Sequence, residues 1–145
     1  MTGEDLLTLR ARSALGVLPE LNRDSVSEEG RQKVTETLEK LSEAAYRAGP
    51  ESVVHLARDA AQCCLGIWMA DQRSDPKLRE KDLGDLAKML EDERGKSVCQ
   101  LLARLHSRAK PNEQVRLNTR PVREGDAEFA LAAVGMLLRE LGWAV

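Results

Sequence analysis

Apolar side chains recur along this chain at three- and four-residue steps, and the punctuation between the runs divides it into six helices. The first is expected from about Glu4 to Ala14, carrying Leu6, Leu7 and Leu9, and is ended by Gly16 and Pro19. In the second, Val34, Leu38, Leu41 and Ala45 line one face with Glu and Lys opposite. Ser25 followed by Glu28 reads as a capping box at its start, and Gly49 stops it. Pro50 then opens a third helix at the position where a missing N–H costs nothing, and this helix runs to about Gln72.

The third helix is the predicted centre of the fold. Val53, Val54, Leu56, Ala57, Ala60, Ala61, Cys63, Cys64, Leu65, Ile67 and Trp68 cover more than half its circumference, as in a helix packed between neighbours. A loop at Ser74–Asp75–Pro76 leads to a fourth helix over about Lys81–Glu93, with Leu83, Leu86, Ala87 and Leu90 inward and Gly95 as its terminator. A fifth over about Ser97–Ala109 turns Val98, Leu101, Leu102 and Leu105 inward, and Pro111 closes it. Residues 110–124 show no period and read as a long loop, of a length that is often functional. The sixth helix starts at Asp126 as N-cap and runs to Leu141, with Ala127, Ala130, Leu131, Val134, Leu137, Leu138 and Leu141 as its stripe. Gly142 is its stop. The expected fold class is thus all-α, a six-helix bundle around the third helix.

Composition agrees. Leu and Ala dominate the apolar residues while aromatics make up only 3%, a mixture that favours helices over strands. At 145 residues the chain suits one domain: residues 1–24 hold the first helix and a connection, 25–109 four helices, 110–124 the loop and 125–143 the last helix. No apolar run approaches the roughly 20 residues of a membrane span, and no secretion signal is visible. Three cysteines, two of them adjacent, read as reduced thiols in a cytoplasmic protein.

Charge changes the picture in one place. Between Arg104 and Arg123 six cations face a single acid, a net of +5, which leaves −7 to the rest of a chain that totals −2. Arg104, His106, Arg108, Lys110, Arg116 and Arg120 are the candidate anion-binding residues, since guanidinium and ammonium groups supply charge-assisted donors to phosphate. The plainer reading is that these cations complement the dipole at the end of the fifth helix and solvate a loop. No aromatic residue interleaves with them, which speaks against a stacking surface for single strands.

Other constellations are weaker. His55 and Asp59 share a helical face, and a histidine paired to its neighbour accounts for them without a metal. Cys63, Cys64 and Cys99 form no C-x-x-C pattern and read as small core residues. No phosphate-cradling or dinucleotide glycine motif is present, and no metal or cofactor is implied.

From the third helix onward the order of segments resembles the HEPN superfamily of helical domains. These segments are "VVHLARDAAQCCLGIWMA", "DLGDLAKMLEDE", "VCQLLARLHSRAKPN" and "DAEFALAAVGMLLRELGW", spanning about residues 50–143. The resemblance implies a helical platform, dimerisation and a polar motif at the end of the helix preceding a loop. The family's catalytic signature is an Arg followed after four to six residues by His. Arg104 takes the arginine place, but Ala109, Lys110 or Pro111 stands where the histidine belongs, and His106 comes too early. The expectation is therefore a non-catalytic binding or regulatory domain, a homodimer that contacts RNA or nucleotide phosphates. Two alternatives stand beside it. One is a protein-interaction module using the second helix or the Trp143 end. The other is a divergent metal-independent ribonuclease with Arg104 and His106 as its catalytic residues.

Overall fold

A computed structural model of the chain describes residues 18–108 and 121–145, and for 106–108 the backbone alone. Its helices are α1 (Glu28–Arg47), α2 (Pro50–Arg73), α3 (Leu83–Lys88), α4 (Glu93–Arg108) and α5 (Glu124–Glu140), with 3₁₀ turns at Arg23–Ser25 and Pro76–Glu80. They correspond to the second through sixth expected helices. The first, with most of the 110–124 loop, lies outside the described residues.

α2 is the hub, as its apolar coverage predicts. It touches α1, α3, α4, α5 and the Pro76–Glu80 turn. Val53, Val54, Ala57, Ala60, Ala61, Cys64 and Leu65 are buried along it. Two glycines set how closely neighbours approach. A Cβ on Gly30 of α1 would stand 2.6 Å from Ile67 Cγ2, so α1 crosses α2 on a bare backbone. Gly66 likewise lets the backbone of Leu78 and Arg79 lie on α2. Gln62, the polar break in the α2 stretch, donates from Nε2 to the carbonyls of Arg79 (2.9 Å) and Lys81 (2.8 Å). It satisfies two carbonyls at the end of the 3₁₀ turn.

Helix ends correct several sequence expectations. Ser25 belongs to the preceding 3₁₀ turn, and Ser27 is the N-cap residue of α1, without a side-chain cap bond. The start is shifted because Val26 is buried and Arg31 Nε clamps the carbonyls of Arg23 (2.9 Å) and Val26 (3.0 Å). Gly95 does not terminate a helix. Its N–H donates to Asp92 Oδ2 (2.9 Å), which places it in the first turn of α4 and shortens α3 to six residues. Asp126 sits at the third position of α5 and accepts from the Arg123 N–H (2.8 Å). At the far end Gly142 takes φ 77°. The Trp143 N–H reaches Leu138 O (3.0 Å) and the Gly142 N–H reaches Arg139 O (3.1 Å), the paired bonds of a Schellman stop.

Trp143 is 3% exposed, and its carbonyl accepts from Asn22 N–H at 2.7 Å. The indole of Trp143 is thus part of the core and is not itself an exposed contact.

Candidate anion-binding end of α4 and the adjoining helix face

α4 is amphipathic, and its inward side is set by Cys99 and Leu102, each 1% exposed. Leu101, expected inward, is instead 50% exposed, because the step of about 100° from Leu102 carries it past the seam. Arg104 follows on the exposed side and pairs with no carboxylate among the described residues. His106 and Arg108 lie in the last turn of α4. Lys110, Arg116 and Arg120 fall outside the described residues, so of the six candidate anion-binding residues three share one helix end.

α4 and α5 pack against each other, and Arg94 Nη1 lies 3.6 Å from Glu140 Oε1. This ties the start of α4 to the end of α5, so the two helices run antiparallel with a fixed register. At about 1.5 Å per residue, Leu101 stands ~10 Å and Arg104 ~15 Å along the seam from that bridge. On α5, Ala132 stands ~12 Å, Phe129 ~16 Å and Glu128 ~18 Å from it. Phe129 is 40% exposed, Ala132 exposed and Met136 half-buried. The two helices thus present one surface with Leu101, Phe129, Ala132 and Met136 between charges. Those charges are cationic on α4 (Arg94, Arg104) and anionic on α5 (Glu128, Glu140). The sequence carried one signal of this face: Phe129 falls off the buried stripe of its helix.

The remaining clusters are structural. His55 Nε2 meets Asp59 Oδ2 at 3.3 Å, the expected neighbour pair, although the histidine is exposed and not partly buried. Arg58 bridges Asp59 (3.3 Å) and Asp82 (3.4 Å). Arg79, which sequence patterning did not single out, ties Glu29 (3.2 Å) and Asp71 (3.6 Å) to the turn between α2 and α3. Among the described residues no His, Cys, Asp and Glu group is placed to hold a metal ion. All three cysteines are free and buried. Burial raises each thiol pKa, that of Cys99 to about 12. Such thiols are poor nucleophiles. No described helix is long and apolar enough to cross a membrane.

A cavity of about 360 Å³ opens at the other end of α4. Trp68 and Met69 of α2, Met89 and Leu90 of the link, and Leu137 and Leu141 at the end of α5 form its apolar lining.

No family model, no curated protein and no solved structure matches the chain.

Proposed function

We propose that this chain is a non-catalytic, HEPN-like helical binding and regulatory domain of the cytoplasm. In this reading it acts as a homodimer and contacts RNA or nucleotide phosphates through the basic segment that begins at Arg104. The observation that carries the reading is the α4–α5 face. Its apolar centre places the exposed Leu101, Phe129 and Ala132 beside the half-buried Met136 on two packed helices, and exposed apolar side chains gathered on one face mark association sites. Its charges are self-complementary. A two-fold axis parallel to the helices lays α4 of one copy on α5 of the other and preserves levels along the seam. Arg104 then meets Glu128 of the second copy, and Arg94 meets its Glu140.

The same axis sets both α4 helices parallel, with their C-terminal ends at one pole of the dimer. Arg104 and the last turn of α4 then come from both copies at one pole, and the doubled positive potential there suits a polyanion. His106, Arg108, Lys110, Arg116 and Arg120 are the further candidate anion-binding residues of the sequence. Binding carries the reading further than catalysis, because no histidine follows Arg104 at the spacing that RNA cleavage in the family requires. The test is twofold. Sedimentation equilibrium is expected to show a dimer, and RNA binding measured against salt is expected to fall steeply. A monomer throughout, or no binding at low salt, defeats the corresponding half of the proposal.

A further inference from the structure

We propose that the cavity at the N-terminal end of α4 binds a small, uncharged, largely apolar molecule with a body of two linked aromatic ring systems. This site lies at the opposite end of α4 from the basic segment, and it shares only the rim residue Glu140 with the proposed dimer face. Its volume of about 360 Å³ lies within the range of small-molecule pockets, whereas one water occupies only about 30 Å³. Its floor is apolar: Met69 is 1%, Leu137 2% and Leu141 9% exposed. Thioethers of Met69 and Met89 adapt to ring edges, and the half-buried Trp68 supplies a flat wall.

The polar groups stand at the rim and decide the charge class. Asp92 is spent on the Gly95 N–H (2.9 Å), Glu140 on Arg94 (3.6 Å), and Arg73 Nη2 donates to Met89 O (3.2 Å). Glu91 and Gln72 also line the cavity. Three carboxylates against two guanidinium groups, Arg73 and the Arg94 paired to Glu140, leave the rim net negative and disfavour an anionic ligand. A neutral one meets no such penalty, and the Gln72 amide is placed to donate to it or accept from it.

The probe pair that tests this is N-phenylnaphthylamine, which is neutral, and anilinonaphthalene sulfonate, the same ring system carrying a negative charge. Titrated into the full chain, the neutral probe is expected to bind saturably at one site and to quench Trp68 in a Trp143→Phe background. The sulfonate is expected to bind about tenfold more weakly or worse. Met89→Trp, which fills a half-buried place in the lining, should weaken the neutral probe about tenfold. Glu91→Lys, on the exposed rim, should strengthen the sulfonate and leave the neutral probe within about twofold. Circular dichroism of each variant confirms that it is folded. Non-saturable binding, equal affinity for both probes, or a folded Met89→Trp protein that binds as before would each overturn the proposal.

Discussion

Arg94 and Glu140 meet at 3.6 Å across the open end of the α4–α5 pair, and Leu101 and Phe129 lie in line with them. Counting about 100° per residue, Leu101 is ~20° off the direction of Arg94, and Phe129 is ~20° off that of Glu140. The exposed leucine and phenylalanine therefore rise on the same side of the seam as the bridge. An ion pair this exposed contributes little stability, on the order of a few tenths of a kcal/mol. Its consequence is register.

That register makes the dimer face testable by charge. Arg104→Glu alone should weaken self-association, since it would set a carboxylate against Glu128 of the other copy. Glu128→Arg alone should do the same. Combined, the two reverse both partners and should restore most of the affinity. A coupling of about 0.5–1 kcal/mol is expected for a rim pair, read by sedimentation equilibrium. Additive losses would place Arg104 and Glu128 apart.

Leu101→Asp should have a larger effect, shifting the dimer constant by about tenfold or more. It should barely change the urea midpoint of the monomer, because half of the side chain is already in water. If Leu101→Asp instead unfolds the chain while leaving association intact, Leu101 serves the core and the face is not an interface.

RNA binding separates from association through its salt slope. Each phosphate contact contributes about −0.9 to the slope of log K against log salt on duplex and ~−0.7 on single strands. Arg108→Gln, Lys110→Gln and Arg116→Gln should each flatten the slope by about one such unit while leaving the dimer constant alone. A slope unmoved by all three would assign these cations to capping α4 and solvating the loop.

The cysteines give a pH dependence with a definite sign. The Cys99 thiol is raised by burial from 9.0 in the unfolded reference to about 12 in the fold. The folded state therefore holds its proton through a range in which the unfolded chain has lost it, and stability falls as pH rises. Its contribution is whole below about pH 9 and is lost progressively from there toward pH 12. Cys99→Ala should show a shallower alkaline decline than the parent in urea melts at successive pH values. Identical declines would mean that the thiol ionises as freely in the fold as outside it.

How much of this was legible in sequence depends on how local each signal is. Pro50 after Gly49, the apolar girth of α2 and the Gly142 stop are decided within one turn of chain, and they appear as read. Gly95 was ambiguous on the same local evidence. A glycine ends a helix where φ is positive, but three residues after an aspartate it fits a first turn equally well. The Asp92 cap selects the second. Leu101 and Leu102 are equivalent to any periodicity that tolerates one step. Only the direction of Cys99 against α2 and α5 decides which of the two is inside, and that is tertiary information. The basic segment was visible as charge alone, since a count of cations carries no geometry.

The sharpest test of the packing itself is Gly30→Ala. On propensity alone, alanine within a helix stabilises by about 1 kcal/mol relative to glycine. Here its Cβ would stand 2.6 Å from Ile67 Cγ2, well inside contact distance. The obstacle is a branch methyl at Cβ, whose rotamer a helix holds almost fixed, so it cannot swing aside as a long chain end would. Ile67 is also only 3% exposed, so it cannot move aside into solvent. Overpacking costs about 1–3 kcal/mol, so the clash outweighs the propensity gain and the net change should be destabilising. Urea denaturation should show a lower midpoint at unchanged m-value. Ile67→Ala in the same chain removes the obstructing methyl. In that background Gly30→Ala should turn neutral or stabilising, because the helical preference then acts unopposed. If Gly30→Ala stabilises in the Ile67 parent as well, α1 and α2 stand further apart than the close crossing requires.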